Sequence, residues 1–75
     1  MGDKNVIDVR GFDCPMPIIK TSRALKKAAS GDVFEVIADD EVFQNDIAAW
    51  CKKTGNLLEN ITVSGEEITA TIVKG

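Results

Sequence analysis

The sequence predicts an α+β fold: a two-layer α/β sandwich, β-α-β-α-β-β, with a four-stranded mixed sheet and both helices on one face. Three observations carry this. Two β-branched, apolar runs (residues 6–9 and 33–38) are each followed by a stretch whose apolar residues recur at helical spacing. Two more runs, residues 57–63 and 68–73, flank a turn at Ser64-Gly65-Glu66, and the second alternates strictly. Finally, right-handed crossovers from strand to parallel strand place both helices on the same side.

Taken in order, Val6-Ile7-Asp8-Val9 is the first strand and Arg10-Gly11-Phe12-Asp13 the loop out of it. The first helix is expected from Pro15 to about Ala29. Ile18, Leu25 and Ala29, with Ser22 between, form its inner face, and Gly31 stops it. Val33-Phe34-Glu35-Val36-Ile37-Ala38 is the second strand. Asp40 is a good N-cap for a second helix from about Glu41 to Thr54, with Phe43, Ile47 and Trp50 inward and Gly55-Asn56 ending it. No internal repeat, linker or low-complexity segment interrupts the chain, so its 75 residues are expected to form one domain, near the lower size limit for a core without staples.

Composition narrows the function classes. There is no apolar run of ~18 residues, so no membrane span is expected, and the first residues lack the apolar stretch of a signal peptide. Two cysteines and no histidine supply neither a usual zinc site nor the disulfide framework of a small secreted domain. A cytoplasmic protein without metal or cofactor is the expectation. The net charge of −3 disfavours non-specific nucleic-acid binding.

Both prolines of the chain are spent in one stretch, Gly11-Phe12-Asp13-Cys14-Pro15-Met16-Pro17. Proline is tolerated in a first helical turn, whose N–H groups have no intrahelical partner. With Cys14 as N-cap, its sulfur stands at the positive end of the helix dipole, which favours the thiolate. The nearest free N–H groups are then those of Met16 and Ile18, and two fixed φ angles stiffen the corner. Asp13 works the other way, adding negative charge beside the sulfur. The alternative is a helix start that happens to carry a buried, inert thiol.

If the first two strands are parallel, Cys14, Asp39 and Asp40 all lie at the carboxyl end of the sheet, where open α/β sheets bind ligands. Asp39 and Asp40 then form the rim of the site. Lacking histidine, the chain cannot be a Cys-His hydrolase. Chemistry in which sulfur itself is transferred or oxidised remains. Lys20, Arg23, Lys26 and Lys27 cluster on the first helix, either as a docking face for an acidic partner or as an ordinary solvated face. Cys51, near Ile47 and Trp50, is read as a buried core cysteine rather than a resolving one.

At these residues the chain resembles the TusA family of small sulfur carriers, also called SirA-like. Val9-Arg10-Gly11-Phe12-Asp13-Cys14-Pro15-Met16-Pro17 fits the family pattern Gly-x-x-Cys-Pro-x-Pro. Gly31-Asp32, Ala38-Asp39-Asp40, Asp46-Ile47, Trp50-Cys51, Thr54-Gly55-Asn56 and Val73-Lys74-Gly75 extend the likeness over essentially the whole chain. Glu41 departs from it, since many members carry proline there. The resemblance implies a sandwich like the C-terminal domain of translation initiation factor 3. It also implies a persulfide carried on Cys14, with Gly11, Asp13, Pro15, Met16 and Pro17 as supporting motif residues. A cysteine desulfurase or rhodanese-like protein would donate the sulfur, and a protein acceptor would take it, in tRNA 2-thiolation or other sulfur trafficking. Such a protein is a carrier, expected to be monomeric, rather than a multiple-turnover enzyme. Two other classes stay open on the residues alone: an RNA-binding or regulatory module, and a thiol redox sensor.

Overall fold

The computed structural model describes residues 5–13 and 15–75. The elements run β1 (Asn5–Asp8), α1 (Met16–Lys26), β2 (Val33–Ala38), α2 (Phe43–Thr54), β3 (Leu57–Ser64) and β4 (Glu67–Val73). The sheet order is β1-β2-β4-β3, with β1 parallel to β2 and the other two pairings antiparallel. This is the mixed sheet that the sequence predicts.

Alternation fixes its register. Phe34, Val36 and Ala38 of β2 are buried, while Val33, Glu35 and Ile37 between them are partly exposed. In β4, Ile68, Ala70 and Ile72 are buried. Pairing sets Phe34 against Ile72, Val36 against Ala70 and Ala38 against Ile68. A slip of one residue would turn all of them outward, so burial of one face specifies the register. At the β3–β4 turn, Ser64 pairs with Glu67 across Gly65-Glu66. Gly65 has φ +61 and Glu66 does not have positive φ, the sign pattern of a type II′ hairpin.

Each helix covers that face with a stripe at i, i+4, i+8: Pro17, Thr21 and Leu25 in α1, and Phe43, Ile47 and Cys51 in α2. Leu25, Phe43, Ile47 and Cys51 join Val9 and the buried faces of β2 and β4 in one core. Burying a side chain the size of Phe43 or Ile47 contributes about 1.5–3 kcal/mol. Two expectations of the inner faces shift. Thr21 lies fully inside α1 and Ala29 is exposed beyond its end. In α2, Trp50 is only partly buried, while Cys51 is fully buried as expected. Thr21 can be buried because its Oγ1 donates to the Pro17 carbonyl at 2.8 Å, leaving no unpaired hydroxyl.

Both helices are also shorter than expected, for local reasons. The N-cap of α1 is Pro15, one residue later than the expected cap at Cys14, and Pro17 is at its second position. The helix ends at Lys26, where Lys27 and Ala28 donate to carbonyls three residues back, and the Asp32 carboxylate takes the Ala29 N–H. Before α2, the Asp40 carboxylate accepts the Val42 N–H and its carbonyl the Phe43 N–H. That Asx turn delays the helix to Phe43, so Glu41 stands in the turn rather than in the first helical position. The left-handed Gly55 (φ +80) closes α2, and Asn56 N–H returns to the Cys51 carbonyl.

Candidate functional site

The parallel register of β1 and β2 determines what meets at the carboxyl end. Asp8 pairs with Ile37, and Val9 N–H continues the ladder to the Ile37 carbonyl at 2.8 Å. Two residues on, the next N–H in line belongs to Gly11. The Asp39 side chain takes it, with both carboxylate oxygens 3.1 Å from the Gly11 nitrogen. Gly11 has φ +84, a left-handed conformation that glycine adopts without steric cost.

Arg10 holds the same loop from the other side. Its guanidinium grips Asp8 at 3.0 and 2.8 Å, and its backbone N–H donates to Asp8 Oδ1 at 3.1 Å. A further bond of 3.4 Å reaches Glu67 at the start of β4. The hydrogen bonds from Arg10 hold the Asp8 carboxyl down at about 2, and the Asp8 carboxylate raises the guanidinium pKa in turn. Phe12 N–H bonds to the Val9 carbonyl at 3.3 Å. The Phe12 ring lies outside the core, 39% exposed, with Lys20 Nζ 4.4 Å from its centroid, a cation–π contact joining the loop to α1.

Cys14 lies outside the described residues, and only its flanks are described. Asp13 is exposed, and its carbonyl accepts the Met16 N–H at 2.9 Å. The Met16 N–H is therefore engaged, contrary to the expectation that it is free. Pro15 and Met16 are exposed and Pro17 is buried. Met16 thus presents an exposed thioether beside the motif, 37% accessible. Asp39 is joined to the loop, whereas Asp40 is spent on the turn into α2.

Arg23, Lys26 and Lys27 are exposed, and Lys20, over Phe12, is less so. Beside the loop, Asp39, Glu41 and Glu66 line a groove of about 460 Å³ together with Gln44, Val63 and Ile68. Among the described residues no group of three or more Cys, Asp or Glu is arranged to hold a metal ion. No described helix is long and apolar enough to cross a membrane. Burial raises the Cys51 thiol from 9.0 to about 11, so this second cysteine is neutral and inert at ordinary pH.

Sequence reasoning did not assign Arg10, Phe12 or Glu67 to the site. The Asp8-x-Arg10 spacing was the available signal for the first pair, while Glu67 is 57 residues from Arg10 and only the fold brings them together.

Residues 5–74 match the protein family described as Sulfurtransferase TusA. The chain is 39% identical, over all of its own length and all of its relative's, to the candidate sulfur carrier protein YrkI of Bacillus subtilis. It is 40% identical to the sulfur carrier protein TusA of Allochromatium vinosum over 69% of this chain and 68% of the other. A candidate sulfur carrier of Aquifex aeolicus is longer: the match, 33% identical, takes in 96% of this chain and 36% of that one. Among solved structures, the SirA-like protein of Desulfitobacterium hafniense superposes with a TM-score of 0.80 at 28% identity, covering 93% of this chain and 96% of the other.

Proposed function

The chain belongs to the TusA sulfurtransferase family, and on that premise we propose that it carries sulfane sulfur as a persulfide on Cys14. The observation that supports this is Cys14-Pro15-Met16-Pro17 set between a loop anchored at three points and the start of α1. The positive end of the helix dipole lies two residues beyond the cysteine and favours its thiolate.

The chemistry needs no cofactor on this chain. The Cys14 thiolate attacks the terminal sulfur of a donor persulfide. The donor's S–S bond breaks, the donor thiolate leaves, and a persulfide forms on Cys14. An acceptor thiolate then attacks the outer sulfur and releases the Cys14 thiolate. Nothing is oxidised or reduced overall, and the rates follow nucleophile and leaving-group pKa as in thiol–disulfide exchange. The donor is a cysteine desulfurase or a rhodanese-like protein, and the acceptor is a protein of cytoplasmic sulfur trafficking, with tRNA 2-thiolation as one destination. Gly11, Asp13, Pro15 and Pro17 shape the corner, Met16 meets the partner beside it, and Asp39 and Asp40 form the rim. Lys20, Arg23, Lys26 and Lys27 dock acidic partner surfaces to a monomeric carrier.

Incubation with a cysteine desulfurase and cysteine, followed by intact mass measurement, tests the reading. The expected result is a gain of one sulfur atom that is reversed by dithiothreitol and absent in Cys14→Ser. A Cys14→Ser protein that still gains sulfur would sink it.

A further inference from the structure

We propose that Asp39 is a positioning residue for sulfur transfer: its carboxylate fixes Gly11, and through Gly11 the approach of the chain to Cys14. The proposal rests on the carrier reading above and goes beyond it by giving a task to a carboxylate that contains no transferable atom.

The argument begins with the ladder. In a parallel pair, the N–H groups aimed at the neighbouring strand belong to alternate residues. Val9 makes such a bond to the Ile37 carbonyl, and Gly11 would make the next to the carbonyl of Asp39. The side chain takes that place instead, both oxygens 3.1 Å from the nitrogen. The strand pairing is thereby capped by a charge-assisted bond at the point where the chain turns away toward α1. Gly11, at φ +84, makes that turn.

Asp39 is not what holds the sheet together. β1 and β2 stay paired through the register Asn5–Phe34 to Asp8–Ile37 and the Val9–Ile37 bond. Arg10 remains tied to Asp8 and Glu67. Asp39 adds the bond to Gly11, three residues before Cys14, and a weaker attraction for the Arg10 guanidinium, on a loop whose other anchors act on Arg10 and Phe12. Asp39 is itself exposed, so losing the carboxylate leaves no buried group unpaired. Its removal should change how the motif is presented and leave the fold standing. A partner-contact role makes a different forecast: weaker donor binding at unchanged maximal rate.

The test is single-turnover sulfur uptake from a persulfidated cysteine desulfurase, measured against donor concentration, for wild type, Asp39→Ala and Asp39→Asn. Asp39→Ala is expected to lower the rate at saturating donor about tenfold, the scale of one charge-assisted hydrogen bond. The half-saturating donor concentration should be unchanged, and the thermal midpoint should stay within a few degrees of wild type. Asparagine keeps an acceptor oxygen for the Gly11 N–H and should restore the rate to within about threefold of wild type. An Asp39→Ala protein that transfers at the wild-type rate, or that changes only the half-saturating concentration, overturns the proposal. So does an Asn variant as slow as Ala. The Gly11 amide resonance, recorded without donor, separates the two ways of failing. A resonance unmoved in Asp39→Ala overturns the anchor itself, whereas wild-type protein that gains no sulfur overturns the carrier reading beneath it.

Discussion

Cys51 makes the fold sensitive to alkaline pH in a measurable way. It is 1% exposed, on the buried stripe of α2, and burial raises its thiol from 9.0 to about 11. The folded state therefore holds the proton more tightly than the unfolded chain. The stabilisation is fully present below pH 9 and is lost as pH rises through 9 to 11. Taking those two values, ionisation in the unfolded chain costs the fold about 1.4 kcal/mol by pH 10 and about 2 kcal/mol by pH 11. For a domain of this size, whose total stability is of order 4–11 kcal/mol, that is a large share. The comparison is with Cys51→Ala, in which every other group of the chain is unchanged. Urea unfolding followed by the fluorescence of Trp50, the single tryptophan, would be run at pH 8, 9, 10 and 11. The alanine variant should be less stable at pH 8, because it leaves a small cavity. The gap between the two proteins should then narrow with pH and close or reverse by pH 11. A gap that stays constant across the series would refute the reasoning, because it would mean that the thiol ionises equally in both states.

The remaining predictions concern the site and the core. Ile47→Ala should lose about 2–5 kcal/mol, read as a lower urea midpoint, because Ile47 is fully buried at the centre of the α2 stripe. The Asp8 carboxyl should titrate near 2 by NMR and move back toward 3.8 in Arg10→Ala, since Arg10 is the main cause of its depression; the stabilising pairing is present above about pH 4 and is lost as pH falls through 2. Reversing Arg23, Lys26 and Lys27 to Glu should slow association with an acidic sulfur donor and flatten its salt dependence, as stopped-flow mixing at several ionic strengths would register.

What could be read from the sequence divides by chain distance. The elements and their order follow from local periodicity, and alternation in residues 68–73 fixes which face of β4 is buried. The ends of the helices were misplaced because they are decided by single competing side chains. Asp40 spends its carboxylate on Val42 two residues ahead and forms an Asx turn, while Asp32 reaches back to Ala29. Thr21 falls outside the inner face expected from Ile18, Ser22, Leu25 and Ala29, and its bond to the Pro17 carbonyl lets it be buried. At the site, the Cys14-Pro15-Met16-Pro17 run is contiguous and stands out in the chain. The groups that hold its loop are not contiguous: Asp39 is 28 residues from Gly11 and Glu67 is 57 from Arg10. The parallel topology was enough to bring Asp39 to the right end of the sheet. Its bond to Gly11 needs the register, because a shift by one residue would aim the Gly11 N–H away from β2.

The two motif prolines show how one short run serves the core and the site together. Pro15 is exposed and Pro17 is buried, although only Met16 separates them. Pro17 begins the inner stripe continued by Thr21 and Leu25, and its carbonyl accepts the Thr21 hydroxyl, so the start of α1 is bolted to the core. Pro15 caps the helix on the solvent side, with its carbonyl accepting the Ile19 N–H. Neither ring has an N–H to offer, and each has a fixed φ. Gly11 and Pro17, the two ends of this short bridge, are therefore each held, one by Asp39 and one by the core. The outward side chains Asp13, Pro15 and Met16 face solvent from that bridge. For the carrier proposed above, flanks already tied to the sheet and to the core lower the ordering entropy that partner binding costs.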